Sequence, residues 1–255
     1  MAGLPLDVET VGSGRDLVLL HSLLTDRTSF TALAERLSGE RRLILVNLPG
    51  FGFSPPAAPF AGSADAVAAL FEALALSADT DVIGNGLGGF VGLTLAIRHG
   101  GRFDRLVLIG GAVAFPEQGR ATFRAMAERA ATDGMPALAG QAVLRLFPQA
   151  YVDANPEVVA DRTAVFNDID PRVFAACCRA LATLDLAQDL ARVGNRTLVV
   201  VGEQDGATPP ALGRDLAARL PNAEIAVLPG LGHAPHIQAP DAFVAAIAPF
   251  LGLRG

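Results

Sequence analysis

A cluster of small residues between a strand-like and a helix-like segment constrains this chain more than any other feature. After Asp81, Val82-Ile83 is β-branched and apolar, four of the six residues of Gly84–Gly89 are glycine, and Phe90–Arg98 has helical composition. This strand–turn–helix pattern is that of a nucleophile elbow, Gly-x-Ser-x-Gly, whose central residue stands exposed above a parallel sheet. Glycines flank the centre because strand and helix approach too closely for side chains. The centre is Gly86, which has no side chain that could attack a substrate.

Strand-like and helix-like segments alternate along most of the chain. Apolar runs predict strands at 16–21, 43–48, 81–83, 105–109, 196–201 and 223–228. Helical spacing is found at 30–37, 64–74, 90–98 and 240–251. The alternation predicts an α/β fold, with a mostly parallel sheet flanked by helices on both faces and joined by right-handed crossovers.

The alternation stops between about residues 115 and 186. This stretch contains helix starts at Pro116, Asn155-Pro156 and Asp170-Pro171, and we find no strand pattern in it. A helical block between two strands of a parallel sheet is expected to cover the carboxyl end of that sheet. We therefore predict a core formed by residues 1–112 and 187–255, with a helical cap over 113–186.

Composition narrows the class of protein. A chain of 255 residues that is 51% apolar can bury one large core. The net charge is −6 without a basic run, and no apolar stretch approaches membrane-spanning length, so we expect neither nucleic acid nor membrane as partner. Because the sequence shows no signal-peptide pattern, we expect the protein to be in the cytoplasm. We expect it to be a monomer or a homodimer. Cys177 and Cys178 are adjacent and lack metal-ligand spacing, and we expect no metal and no cofactor.

Two polar residues follow predicted strands downstream of the elbow. Asp205 comes after the strand at 196–201, and His233 comes after the strand at 223–228. Ligands of open α/β sheets bind at the carboxyl ends of the strands, so both residues are expected near the elbow. A carboxylate beside a histidine orients the imidazole and stabilises its protonated form. The order elbow, acid, histidine therefore predicts a hydrolytic site.

The same order is that of the α/β hydrolases, and this chain resembles that superfamily over its whole length. The matching segments are His21–Asp26, Leu48–Ser54, Gly84–Gly89, Ala175–Arg179, Val201–Pro210 and Gly232-His233. The closest resemblance is to the 3-oxoadipate enol-lactonase branch and to related esterases and C–C bond hydrolases. Caps of that branch usually carry tryptophan, and this chain has none. The resemblance implies a small ester, lactone or vinylogous acid as substrate, often with a carboxylate.

Roles follow from the resemblance position by position. Gly86 occupies the place of the nucleophilic serine, Asp205 that of the triad acid, and His233 that of the general base. The oxyanion hole is implied to use the backbone N–H groups of Leu23 and Leu87. The expected function is hydrolysis of a small ester or lactone by Ser-His-Asp chemistry, from which the serine is missing.

Five further residues are candidates for contact with the substrate. Ser22 lies beside the oxyanion loop, although nothing in the sequence brings it to His233. Phe51 is a candidate apolar wall, and His236 a wall or hydrogen-bonded neighbour of His233. Arg120 and Arg124 are one helical turn apart in the cap, and a guanidinium suits a substrate carboxylate.

Gly86 leaves three explanations open. In the first, the serine was replaced in the laboratory and the protein is an inactivated variant. In the second, the protein is a natural enzyme in which His233 and Asp205 activate water or a substrate proton directly. In the third, the protein binds a ligand without catalysis. Retention of Asp205 and His233 argues against the third explanation. The sequence alone does not separate the three explanations.

Overall fold

The middle of the sheet is built from strands whose side chains are buried on both faces. The computed structural model describes residues 3–254 and contains seven strands. They are β1 (Val8–Gly12), β2 (Arg15–Leu20), β3 (Arg41–Val46), β4 (Asp81–Asn85), β5 (Arg105–Ile109), β6 (Arg196–Gly202) and β7 (Ala223–Leu228). They pair in the order β1-β3-β2-β4-β5-β6-β7. The elbow strand β4 therefore lies at the centre.

Every pairing in the sheet is parallel except that of β1 with β3. The predicted α/β fold with a mostly parallel sheet is confirmed. Strand β1 was not predicted from the sequence. It is an edge strand with no fully buried residue, so it lacks the apolar run that marked the others.

Helices cover both faces of the sheet. In chain order they are α1 (Thr31–Leu37), α2 (Ala61–Ala73), α3 (Leu87–His99), α4 (Glu117–Thr132), α5 (Ala139–Leu146), α6 (Gln149–Ala154), α7 (Pro156–Asn167), α8 (Pro171–Ala182), α9 (Pro210–Arg219), α10 (Pro235–Gln238) and α11 (Pro240–Leu251). Residues of α1 and α11 form one apolar cluster with β2, β3 and β5. Residues of α2 and α3 belong to the larger cluster on the other face. Helix α9 was not predicted from the sequence, because only two of its residues, Gly213 and Leu216, are buried.

Helices α4 to α8 all lie between β5 and β6 in the chain, and α4 packs against α8. In this part of the described chain there is no strand, only an isolated bridge between Ala114 and Asp185. Leu186 N also donates to Val113 O at 3.0 Å. The chain thus leaves the sheet and returns to it at adjacent points. Residues 1, 2 and 255 of the predicted core lie outside the described residues.

Glycines at the elbow permit unusually close backbone contacts. A Cβ on Gly88 would lie 2.1 Å from Leu20 O, and one on Gly84 would lie 2.3 Å from Gly88 O. Gly88 N donates to His21 O at 2.9 Å, which joins α3 to the loop after β2. Backbone contacts thus join the elbow directly to that loop. Separately, no helix within residues 3–254 is long and apolar enough to cross a membrane.

Candidate active site

Asp205 and His233 form a buried pair at the carboxyl ends of β6 and β7. His233 Nδ1 lies 2.8 Å from Asp205 Oδ2, and each residue is only 4% exposed. Ala207 N and Thr208 N donate to Asp205 Oδ1, while Thr208 Oγ1 donates to Oδ2 at 2.7 Å. Burial alone would raise the pKa of Asp205, but the His233 ring and the hydrogen bonds outweigh it and lower the pKa. The carboxylate is therefore ionised and fixes the ring.

The backbone of His233 is held from two sides. His233 N donates to Leu146 O, at the end of cap helix α5, at 3.0 Å. Asn85 Nδ2, on the elbow strand, donates to His233 O at 2.9 Å. The second ring nitrogen, Nε2, makes no hydrogen bond to any residue that the structure describes, and the ring lines a cavity. The pair therefore presents a free nitrogen to that cavity.

Gly86 lies directly in front of this nitrogen. Its φ of +51° and ψ of −110° belong to a backbone region that residues with a side chain rarely adopt. A Cβ built on Gly86 would lie 2.7 Å from His233 Nε2 and 3.0 Å from Ser22 Oγ. The first distance is too short for a real Cβ contact. A side chain at position 86 therefore requires the His233 ring to move.

Two backbone N–H groups border the same space. Leu87 is the first residue of α3, so its N–H has no acceptor within the helix. Neither Leu87 N nor Leu23 N donates to an acceptor among residues 3–254, and both residues line the cavity. The Leu23 loop is fixed by His21, which contacts Ser22 O through Nδ1 and accepts from Leu48 N through Nε2. The cavity therefore borders two backbone N–H groups that have no acceptor in the described chain.

Full burial keeps His21 in the neutral form that these contacts require. Desolvation lowers the pKa of His21 to about 4. A neutral imidazole has one donor and one acceptor, so Nδ1–H donates to Ser22 O while Nε2 accepts from Leu48 N.

The cavity lies between this set of residues and the cap. The volume accessible to the centre of a water molecule is about 30 Å³. Its apolar lining consists of Leu23, Leu24, Leu87, Phe90, Phe115, Phe123, Met126, Leu181 and Ala207. Its remaining lining residues are Ser22, Gly86, Arg145, Thr208 and His233. A ligand here meets an apolar wall and few polar groups.

Arg145, on cap helix α5, is the one cationic side chain in this lining. Its guanidinium lies 5.5 Å from the centroid of the Phe123 ring. It forms no ion pair and no hydrogen bond with the described part of the chain, and burial lowers its pKa. Among the cap arginines the sequence favoured Arg120 and Arg124 over Arg145, although Arg145 lies beside the buried residues Ala142, Val143 and Leu146 of α5.

Arg120 and Arg124, the cap arginines selected from the sequence, do not line this cavity. Arg120 Nε donates to Phe115 O at 2.7 Å, and Arg124 pairs with Glu117 on the surface. Their spacing correctly put them on adjacent turns of α4. The buried side of that helix, however, is formed by Phe123, Met126, Ala127 and Ala130.

Phe51 and His236 also lie outside the cavity lining, whereas Ser22 belongs to it. Phe51 packs edge-on against His21, with 4.7 Å between ring centroids. His236 is fully buried and stacks on Phe30, because α10 turns into the core immediately after His233. Neither ring nitrogen of His236 has a partner among residues 3–254, and desolvation lowers its pKa to about 3. His236 is a core residue, neither a cavity wall nor a hydrogen-bonded neighbour of His233.

The family of the chain follows from comparison with known proteins. A family model described as "Alpha/beta hydrolase family" matches residues 17–246. The chain belongs to this family. Its relatives include the pimeloyl-[acyl-carrier protein] methyl ester esterase of Chromobacterium violaceum, which is 31% identical over 253 residues covering 96% of this chain and 98% of that protein. A putative carbamate hydrolase of Caulobacter sp. (strain K31) is 30% identical over 246 residues covering 94% of this chain and 91% of that protein.

Solved structures give the same result. The enol-lactonase from Burkholderia xenovorans LB400 superposes with a TM-score of 0.90 at 29% identity, covering 97% of this chain and 96% of that one. A thermophilic esterase from Thermogutta terrifontis superposes with a TM-score of 0.88 at 28% identity, covering 97% and 93%. The resemblance predicted from the sequence is confirmed. Within residues 3–254 of this α/β hydrolase, no group of three or more His, Cys, Asp or Glu side chains could hold a metal ion.

Substitution at position 86 tests the closeness of the His233 ring. We expect Gly86→Ala and Gly86→Ser each to lower the free energy of unfolding by about 1–3 kcal/mol, because both carry a Cβ at positive φ against Nε2. Only the serine variant is expected to react at residue 86 with a serine-directed phosphonate, detected by peptide mass. Thermal unfolding measures the first effect. An alanine variant as stable as the parent would contradict the described position of the ring.

Proposed function

We propose that this α/β hydrolase cleaves a small carboxylic ester or lactone by direct attack of a water molecule that His233 deprotonates. One observation carries the proposal. His233 Nε2 faces the cavity, with Asp205 bonded behind the ring and no side chain at Gly86 between Nε2 and a bound substrate. The close approach of Nε2 to Gly86 supports a site packed around glycine, in preference to one from which a serine has been removed.

The reaction needs groups that line the cavity, together with Asp205 behind the His233 ring. The substrate carbonyl oxygen accepts from Leu23 N and Leu87 N, each of which stabilises the developing oxyanion by about 3 kcal/mol. His233 Nε2 takes one proton from water as the water oxygen bonds to the carbonyl carbon. The same nitrogen then returns that proton to the leaving alkoxide as the C–O bond breaks, giving the acid and the alcohol. Asp205 stabilises the imidazolium between the two steps.

The absence of a serine at position 86 restricts which esters can react. Covalent catalysis divides a difficult displacement into two easier steps, and Gly86 cannot provide it. General-base catalysis by a positioned histidine contributes roughly 10²- to 10⁴-fold. A leaving group that is stable as an anion, such as an enolate or a phenolate, therefore suits this site best. The enol-lactonase among the similar proteins supports this substrate class, because an enol-lactone releases an enolate.

Arg145 supports a carboxylate on the substrate. A charged group in apolar surroundings is costly unless it is paired, and Arg145 has no partner in the described chain. The planar guanidinium binds a carboxylate through two parallel hydrogen bonds. We therefore extend the proposal to esters or lactones that carry a second, ionised carboxyl group. The cap, over residues 113–186, then provides the charge recognition and the core provides the chemistry.

Loss of the histidine tests the proposed mechanism. With a phenyl ester as substrate, we expect His233→Ala to reduce the rate to that of buffer, because no other base faces the cavity. Asp205→Asn should reduce it severely by leaving the ring misoriented. His99→Ala is the matched control, since His99 pairs with Asp65 at the surface, away from the cavity. The test measures steady-state rates of the folded variants. Full activity in His233→Ala would refute the mechanism.

Recognition of the carboxylate is tested with a matched acid and methyl ester of one enol-lactone. The parent should prefer the acid by about 10- to 100-fold in kcat/KM, since hydrogen bonds to charged groups contribute about 1.5–3 kcal/mol. Arg145→Met should abolish the preference, while Arg145→Lys keeps part of it and Arg124→Ala leaves it unchanged. Equal rates on acid and ester in the parent would show that the cavity does not recognise charge.

A further inference from the structure

The Ser22 hydroxyl borders the space in front of Gly86. Ser22 follows β2 and is only 2% exposed, but it lines the cavity. Its carbonyl is held away from the cavity by His21 Nδ1 at 2.8 Å and by Thr25 N at 3.2 Å. These hydrogen bonds hold Ser22 in place through its carbonyl, and they do not involve the hydroxyl.

Ser22 Oγ has little to bind within the protein. Its one neighbour in hydrogen-bond range is Leu24 N, which donates from 3.5 Å, and the hydroxyl proton has no acceptor in the described part of the chain. A serine hydroxyl can donate one hydrogen bond and accept two. A buried hydroxyl that faces a cavity with spare capacity is ready to bind a polar ligand atom or a water molecule.

The hydroxyl and the catalytic histidine converge on the same space. A Cβ built on Gly86 would lie 3.0 Å from Ser22 Oγ and 2.7 Å from His233 Nε2. The two atoms make no hydrogen bond to each other in the structure. A water molecule in front of Gly86 is therefore positioned to bridge them, which a side chain at position 86 would prevent.

We propose that Ser22 holds the water molecule that attacks the substrate. This inference rests on the proposed function. The water donates one hydrogen to His233 Nε2 and the other to Ser22 Oγ, which leaves an oxygen lone pair for the carbonyl carbon. On attack the first proton passes to Nε2, while the second stays on the oxygen and ends in the product acid. Ser22 is unchanged, and no bond forms to its oxygen.

The test compares Ser22→Ala and Ser22→Thr with the parent on the phenyl ester. We expect Ser22→Ala to lower kcat by about 10- to 100-fold with little change in KM, because the substrate still binds while the water is misplaced. Ser22→Thr, which restores a hydroxyl, should recover part of the loss. Ser29→Ala is the control, because Ser29 is a buried serine outside the cavity. Hydroxylamine, which needs no positioned water, should cleave the ester equally fast with the parent and with Ser22→Ala.

The outcomes separate this inference from the function on which it rests. Full kcat in Ser22→Ala, with His233→Ala inactive, overturns the role of Ser22 and leaves the general-base mechanism standing. A phosphonate adduct on Ser22 of the parent also overturns it, because Ser22 is then the nucleophile. If Ser22→Thr recovers nothing although it folds and binds substrate as the parent does, the hydroxyl is not the active feature. A parent without His233-dependent hydrolysis overturns both proposals.

Discussion

The hydrogen bond between Asp205 and His233 is the interaction on which the site depends. Both side chains are buried, so neither would be stable there without the other. The bond joins the loops after β6 and β7, and the backbone of His233 links them to the elbow strand and to the cap. One buried pair thereby connects both strand ends, the elbow and the cap around a single nitrogen, Nε2.

Glycine at position 86 gives this arrangement its chemistry. The elbow brings strand and helix together so tightly that Gly84 and Gly88 have no room for a Cβ. Gly86 differs from them, because a Cβ there would meet side chains, His233 Nε2 and Ser22 Oγ, and not backbone. In the function that we propose, His233 is the base, Asp205 orients it, and the space in front of Gly86 holds the attacking water.

The sequence predicted what depends on order along the chain. The alternation of apolar runs and helical segments predicted six of the seven strands and the interruption that contains helices α4 to α8. The side of a helix on which a given side chain lies was not predictable from the sequence. The spacing of Arg120 and Arg124 could not show that they face away from the cavity, and they were favoured over Arg145. Ser22 could not be linked to His233, because their approach depends on two loops that are far apart in sequence.

The central claim is that no acyl group is transferred to the protein, and product partitioning tests it most directly. A series of esters with one acyl group and different leaving groups is hydrolysed in the presence of hydroxylamine, and the ratio of hydroxamate to acid is measured for each. Direct attack on the bound ester predicts a ratio that changes with the leaving group, because the leaving group is still attached when the two nucleophiles compete. A constant ratio across the series would reveal a common acyl-enzyme and contradict the account.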